Sequence, residues 1–475
     1  MRILLINPPN SGRNIITEKY GADIIRQVFK QEPLSLELLA GMVRSETARP
    51  CRASRTYDEV DDEVEIFDMK ADNTPYEKKM SEFRPDLVGI TCMTCEAQTA
   101  LQLMERTKEY NAHIVTLVGG VHASNDPEFF NHLFVDYIVV GLGKKTFSDL
   151  VKGIEEKKDV RGIPGVGSFR NGKFQLSPKK FQYDDLADNV PPHRELVKKY
   201  RPFYRLDNMK INVGAVDTSY GCTNKCNFCC LWKTTQGHYI TRNPEAVIRD
   251  IESSTENFFI RLVDANTFGD KKRAETIASM IAQKGIKKVF IVDARTDTIV
   301  SQPELIRLWS SIGLRAVVVG LEEIRDRHLN DFNKRTSLKM NTDAIKILHD
   351  NGITVIGDFI VSPDYGEKDF DNLRDYVEEN KIECPGFSIL TPMPGTALYE
   401  QMKDQIIIKD LDYYTLTNAV LPTKMPEEKF YERVGGLYRE FYSLSLTKRL
   451  LSKIFLRESF IKMGDLLKRK FNAND

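Results

Sequence analysis

The chain has 475 residues, 41% of them hydrophobic, and its 68 basic and 68 acidic side chains give a formal net charge of zero. This length and composition predict a multidomain protein with more than one hydrophobic core. The balanced charge argues against nucleic acid as a partner, since binding to phosphates needs a basic surface.

The eight cysteines are too few for a disulfide scaffold, and four of them fall between Cys222 and Cys230. Cysteines grouped in this way are typical of a metal site in a reducing compartment. The first residues, MRILLINPP, lack the features of a signal peptide, and no apolar stretch approaches the ~20 residues of a spanning helix. We therefore expect a cytoplasmic protein.

Up to about Phe169, short runs of Val, Ile and Leu alternate with helical segments. This alternation predicts an α/β domain, residues 1–169, with a parallel sheet covered by helices. The predicted strands are Ile3 to Ile6, Val64 to Phe67, Leu87 to Ile90, Ile114 to Val118 and Tyr137 to Val140. Gly119 and Gly120 follow the fourth strand, and Gly141 and Gly143 follow the fifth. Ligands bind at this carboxyl edge in open α/β sheets.

Residues 170–208 are polar and contain Pro191 and Pro192, which predicts a linker. A second series of strands and helices follows and predicts a partial or full (βα) barrel of the TIM type over residues 209–402. Its strand candidates are Ile211 to Val216, Ile260 to Val263, Val289 to Val292, Ala316 to Val319, Val355 to Ile360 and Gly386 to Leu390.

Residues 403–475 predict a helical region with a basic amphipathic tail, SLTKRLLSKIFLRESFIKMGDLLKRKF. A helix of this kind can lie on an anionic membrane surface, which would make the protein peripheral at the inner face of the membrane. The alternative is a helix that packs its apolar face against the barrel.

The segment YGCTNKCNFCCLW follows the first strand of the second series, so we expect Cys222, Cys226 and Cys229 at the carboxyl end of the barrel. Three thiolates at spacings of four and three residues can each ligate one iron of a cubane cluster and leave the fourth iron open. An open position is typical of a catalytic metal site. The alternatives are a structural zinc site that also uses Cys230, and an electron-transfer cluster.

This CxxxCxxC motif, with Phe228 before the last cysteine, resembles the signature of the radical S-adenosylmethionine (SAM) superfamily, and the resemblance extends to about Tyr399. It implies a [4Fe–4S] cluster on the three catalytic cysteines and SAM on the open iron. It also implies reductive cleavage of SAM to a 5'-deoxyadenosyl radical, with a reductase, flavodoxin or ferredoxin as electron donor. Cys230 is interpreted as a bystander.

The same resemblance implies SAM contacts at later strand ends. Asp264 and Asn266 stand where family members often bind the methionine amino group, although glycine and glutamate are common there. Arg295 and Glu322 are candidates for the SAM carboxylate and ribose. The alternative for these last two residues is a salt-bridged or solvated charge.

The first domain resembles the cobalamin-binding domain of cobalamin-dependent radical SAM enzymes. The resemblance rests on NPP after the first strand, EPLSLELLAGMV, VGGVHAS and the glycine turn after the fifth strand. It implies contacts to cobalamin from Thr91, Thr94, Gly119, Gly120, His122, Gly141 and Gly143. The loop NPPNSGRN contains no DxHxxG, so no histidine there is placed to ligate cobalt. The alternative is a flavodoxin-like scaffold without a corrinoid.

With both cofactors, the resemblance implies methylation of an unactivated carbon, with SAM used once as radical source and once as methyl source. The segment LDYYTLTNAVLPTKMPEEKFYERVGGLY is similar to hopanoid C-3 methylases and indicates a lipid substrate. The alternatives are ring or carbon–carbon bond formation without methyl transfer, and a sensor without catalysis.

Overall fold

The computed structural model describes residues 1–20, 30–47, 63–170, 173–206 and 211–442. The predicted basic tail lies outside these residues. In the part of the chain that is described, no helix is both long and apolar enough to cross a membrane.

The first domain is built on a seven-stranded sheet. Its strands are β1 Arg2–Asn7, β2 Glu63–Asp68, β3 Leu87–Thr91, β4 Val115–Gly119, β5 Tyr137–Val139, β6 Val166–Arg170 and β7 Lys173–Leu176. Its helices are α1 Ile15–Tyr20, α2 Leu34–Thr47, α3 Tyr76–Phe83, α4 Ala97–Tyr110, α5 Val121–Asn125 and α6 Gly143–Glu155.

The strand order is β2-β1-β3-β4-β5-β6-β7, and β1 to β5 are parallel. Helices α2 and α6 cover one face of this sheet, and α3 and α4 cover the other. The direction of strand order reverses beside β1, which creates the crevice where doubly wound sheets bind ligands. The fold class predicted for this domain is confirmed.

Among its described residues, the second domain has nine strands: β8 Arg205–Leu206, β9 Ile211–Val216, β10 Ser219–Tyr220, β11 Ile240–Thr241, β12 Phe259–Leu262, β13 Val289–Ala294, β14 Leu314–Glu322, β15 Thr354–Val361 and β16 Cys384–Ile389. Its helices are α7 Leu231–Thr234, α8 Pro244–Ser253, α9 Lys271–Gln283, α10 Thr296–Ser301, α11 Pro303–Ser311, α12 Asp326–Asp331, α13 Leu338–Asp350, α14 Glu367–Glu379, α15 Ala397–Met402 and α16 Glu427–Phe441.

The main sheet of this domain has the order β16-β15-β14-β13-β12-β9-β8, with six parallel strands and an antiparallel β8. Its two edges do not pair with each other within the described residues, so the barrel is partial. One face of the strands packs on the helices in a core that includes Trp309, Phe370 and Phe387. The other face lines the open lumen.

The carboxyl edges of the two sheets face each other. In the loop after β1, the Arg13 amide donates to the Asp412 carbonyl at 2.7 Å. Helix α5, which follows β4, packs against α7, and Gly141 after β5 lies beside the Thr234 carbonyl. A group bound at the edge of the first sheet would therefore face the barrel loop that carries the cysteines.

Candidate active site

The loop after β9 carries Cys222, Cys226 and Cys229 at the carboxyl end of the barrel. Its middle is fixed by the segment after α12: the Asn227 amide donates to the Phe332 carbonyl at 3.1 Å, and the Phe228 and Phe332 rings meet edge to face. On the other side, the Leu398 amide donates to the Asn227 carbonyl at 3.0 Å. The loop is thus held from two directions.

The three cysteines suit a cluster better than a single ion. All three are free thiols, and Cys226 is only 6% exposed. No three His, Cys, Asp or Glu side chains of the described residues converge closely enough to hold one metal ion. Cluster thiolates bind different irons and need not converge, whereas a tetrahedral zinc site requires convergence. Three free thiols on one loop are therefore a donor set that fits the cluster.

Two cations lie near the cysteines. Burial raises the pKa of the Cys226 thiol, and Lys334 and Arg295 oppose that rise. Burial likewise raises the pKa of Cys229, to about 12. Positive charge beside buried thiols favours the thiolate form that iron requires.

Asn224 lies within the loop that carries the three cysteines (the cluster loop), between Cys222 and Cys226, and its role was not predicted from the sequence. Its Nδ2 atom is 3.3 Å from the Cys226 sulfur, and it also donates to the carbonyls of Asn333 and Lys334. Hydrogen bonds to ligating sulfurs are among the features that set the reduction potential of iron–sulfur clusters.

We expect Asn224→Leu to make the reduction potential of the reconstituted cluster more negative, by some tens of millivolts, because a donor to sulfur stabilises the added electron. An EPR-monitored redox titration without SAM measures this shift. The matched control is Asn227→Leu, since the side-chain amide of Asn227 donates to the Asp331 carbonyl and not to sulfur. Equal shifts in both variants would contradict the role of Asn224.

Asp264 and Asn266 support the cluster loop from the strand β12 side. The Asp264 carboxylate accepts from both the amide and the hydroxyl of Thr218, and from the Ser219 amide, all within 2.7 Å. The Asn266 side-chain amide donates to the hydroxyls of Thr223 and Thr298. Both side chains are therefore engaged within the protein, and their contact to SAM remains a prediction.

Arg295 and Glu322 come together around Lys334. The Arg295 guanidinium pairs with Asp297 and donates to the Lys334 carbonyl at 2.8 Å. Glu322 pairs with the Lys334 ammonium at 2.5 Å and adopts the left-handed φ of 64° at a bulge in β14. Non-glycine residues in this conformation are strained, and such strain is concentrated at functional sites. Their roles toward SAM remain predictions.

The predicted cobalamin edge is lined by small residues. Gly120 has a φ of 99°, and a Cβ there would lie 2.7 Å from the Thr91 hydroxyl and 2.9 Å from the Cys92 backbone, so this turn requires glycine. Thr94 is buried in the loop that follows β3, and Gly119, Gly141 and Gly143 are partly exposed at the same edge. A backbone of this shape allows a large flat ligand to approach.

His122 does not lie at the surface of this edge. It is 1% exposed and packs edge to face on Phe129 and Phe130, with no hydrogen-bond partner for either ring nitrogen among the described residues. Burial lowers its pKa to about 4, so the ring is neutral. The structure thus places the His122 ring in the hydrophobic core, and its contact to cobalamin remains a prediction.

Two carboxylates of the barrel lumen, Asp293 and Asp358, were not predicted from the sequence. Burial raises the pKa of Asp293 on β13 to about 6 and that of Asp358 on β15 to about 7. Asp293 pairs with Arg261 at 3.0 Å. The signal in the sequence was a single acid inside an apolar strand, as in VIGDFIV.

Comparisons with known proteins agree with this organisation. The sequence matches the B12 binding domain over residues 23–151 and the radical SAM superfamily over residues 216–377. It is 28% identical to hopanoid C-3 methylase of Methylococcus capsulatus, over 85% of this chain and 75% of that protein. It is 26% identical to anaerobic magnesium-protoporphyrin IX monomethyl ester cyclase of Rubrivivax gelatinosus, over 83% of this chain and 70% of that one.

Among solved structures, the radical SAM methyltransferase TsrM of Kitasatospora setae, with cobalamin and a [4Fe–4S] cluster bound, superposes with a TM-score of 0.66. The match covers 92% of this chain and 88% of TsrM at 16% identity, so it shows a shared fold. The two domains and the cluster loop define a radical SAM enzyme with a B12-binding domain. Its two matched domains are those of a cobalamin-dependent radical SAM enzyme, and its cofactors are a [4Fe–4S] cluster, SAM and cobalamin.

Proposed function

We propose that this enzyme transfers a methyl group to an unactivated carbon of a hopanoid-like lipid. The observation that carries the proposal is the opposition of the two carboxyl edges, which sets the predicted cobalamin edge of the first sheet against the cluster loop of the barrel. The similarity to hopanoid C-3 methylase supports both the methyl transfer and the lipid.

Bound to this chain, the cluster and SAM would supply a carbon radical that removes hydrogen from the substrate, and methylcobalamin would supply the methyl group. Cys222, Cys226 and Cys229 would hold the cluster, and Asp264 fixes the backbone that leads into their loop. The small residues around Gly120 would hold the corrinoid.

The chain also provides an apolar wall that would exclude water from the site. Phe332, Ile360, Leu390 and Leu398 form a buried apolar cluster, and Phe228 of the cysteine loop packs against it. An apolar wall beside the cluster loop prevents side reactions of a reactive carbon centre.

The proposal is tested by anaerobic reconstitution followed by iron, sulfide and corrinoid analysis of one sample. We expect about four irons and one cobalamin per chain. With SAM that carries a trideuterated methyl group, a low-potential reductant and a purified hopanoid, we expect the label in the lipid. 5'-deoxyadenosine and S-adenosylhomocysteine should appear in equal amounts. A cluster without cobalamin would contradict the proposal.

The second candidate is ring formation without methyl transfer, favoured by the similarity to the magnesium-protoporphyrin ester cyclase. In that case the product would lack the label and S-adenosylhomocysteine would not accumulate.

A ferredoxin or flavodoxin as electron donor and peripheral contact of residues 443–475 with the membrane are further parts of the proposal.

A further inference from the structure

Asp358 is an acidic residue inside an otherwise apolar strand of the barrel wall, one strand from the edge of the sheet. It lies on β15, where the side chains alternate between the two faces of the sheet. Val355, Phe359 and Val361 pack into the core under the helices, and Ile360 belongs to the apolar cluster beside Phe228. Side chains of a strand alternate between faces, so Asp358 points into the lumen with Ile360. It lies about 7 Å deeper than Ile360 at two strand rises of about 3.3 Å each.

The sheet leaves space around this carboxylate. In the strand register, Asp358 stands between Gly320 of β14 and Gly386 of β16. A Cβ at Gly386 would lie 2.6 Å from the Asp358 Oδ1 atom. Gly386 therefore leaves room for the Asp358 carboxylate, whereas the place above Gly320 is taken by the Glu322 carboxylate and the Lys334 ammonium. The Asp358 side chain opens on the lumen although its strand has a neighbouring strand on each side.

The other charges of the lumen are paired. Asp293 binds Arg261 at 3.0 Å, and Glu322 binds Lys334 at 2.5 Å. The Asp358 carboxylate has no hydrogen bond or ion pair with any residue that the structure describes. The Asp358 carboxyl group is therefore left for a ligand.

We propose that Asp358 determines substrate specificity by binding a positively charged nitrogen of the substrate. The inference rests on the proposed function in one respect, that the substrate carbon lies in the lumen. It refines the substrate class to a bulky aliphatic molecule with a protonated amine. A hydrocarbon alone would leave the carboxylate desolvated and unpaired, which is costly.

Binding of two matched probes tests this assignment without turnover. Adamantan-1-amine and adamantan-1-ol share an aliphatic cage and differ in charge. We measure their affinities by calorimetry at pH 8, on the reconstituted protein with cobalamin and SAM but without reductant. The wild type is expected to bind the amine about tenfold more tightly than the alcohol, a difference of about 1.4 kcal/mol.

Asp358→Asn should bring the two affinities together and leave the affinity for SAM unchanged. The matched control is Asp350→Asn, an equal change of charge at the exposed end of α13, which should keep the preference. A wild type without preference for the amine would overturn the proposal. A preference for the amine that survives in Asp358→Asn would also overturn it. So would a loss of SAM affinity in Asp358→Asn as large as the loss of amine affinity, since SAM would then be the ligand of Asp358.

A second measurement covers the case in which the variant folds poorly. The negative charges of Glu322 and Asp293 raise the pKa of Asp358, and the positive charges of Arg261 and Lys334 lower it. Asp358 in turn raises the pKa values of two nearby tyrosines, Tyr438 and Tyr442. Because the pKa is raised by burial to about 7, its contribution to stability falls as pH rises from about 4 to about 7.

Asp358→Asn should therefore melt at or above the wild-type temperature at pH 8, and the gap should close toward pH 5. A clearly lower melting temperature at pH 8 would assign Asp358 a structural role and overturn the proposal. Neither measurement requires methylation. A failure of the methyl-transfer assay therefore leaves the specificity test intact, and the reverse also holds.

Discussion

Cys226→Ala is expected to abolish SAM cleavage. Cys226 is the middle ligand of the CxxxCxxC loop and the most buried of the three cysteines, so its loss should prevent assembly of the cluster. Without the cluster no electron reaches SAM, and the rate of 5'-deoxyadenosine formation should fall by about a thousandfold or more, to assay background. The measurement combines that rate with iron content and the EPR signal of the reduced protein.

Cys230→Ala provides the matched control. Cys230 follows the last ligand directly, begins the turn into α7 and has no place in the three-cysteine set. This variant should retain the cluster signal and SAM cleavage. A Cys226→Ala protein with an intact signal, or a Cys230→Ala protein without one, would show that the ligands have been assigned incorrectly.

The fold was largely readable from the sequence because its strands are buried on both faces. Such strands are continuous runs of Val, Ile and Leu, and the predicted runs at Leu87 to Ile90 and Ile211 to Val216 agree with β3 and β9 within a residue. The strand β7, Lys173–Leu176, was missed since its side chains are polar and largely exposed at the sheet edge. It extends the first sheet beyond Phe169.

The site was readable where chemistry imposes spacing and not where it depends on packing. The three cysteines are adjacent in sequence and their spacing alone indicates a cluster. Asn224 and Lys334 meet across 110 residues, and no local pattern reports that contact. His122 was predicted to contact cobalamin because its motif follows a strand, and the sequence did not indicate that its ring packs in the core against Phe129 and Phe130.

The connection between the two domains depends on a buried group of charges. Arg194, in the segment that joins them, binds Glu32 at 2.5 Å and lies 3.5 Å from Glu37 of α2. It also donates to the carbonyl of Ala215 in β9, and the Ala215 amide donates to Glu32. All three charged side chains are at most 7% exposed. The group thus ties the first domain, the linking segment and the first barrel strand at one point.

We expect Arg194→Met to reduce the free energy of unfolding by about 3–5 kcal/mol, since removal of one partner leaves buried charge uncompensated. Burial, followed by the charge of Glu32, already raises the pKa of Glu37 well above its usual range. Loss of the arginine should raise it further, so the penalty should be larger at pH 8 than at pH 5.5, where protonation removes the charge. Denaturant unfolding at both pH values measures this.

The control for Arg194→Met is Arg374→Met, which removes an arginine from the surface pair with Asp375 and should change stability little. The functional consequence follows from the position of the cofactors on different domains. If Arg194 keeps the domains aligned, its loss should lower methyl transfer more than SAM cleavage and leave 5'-deoxyadenosine in excess over methylated product. A parallel fall of both activities would show that Arg194 contributes to stability alone.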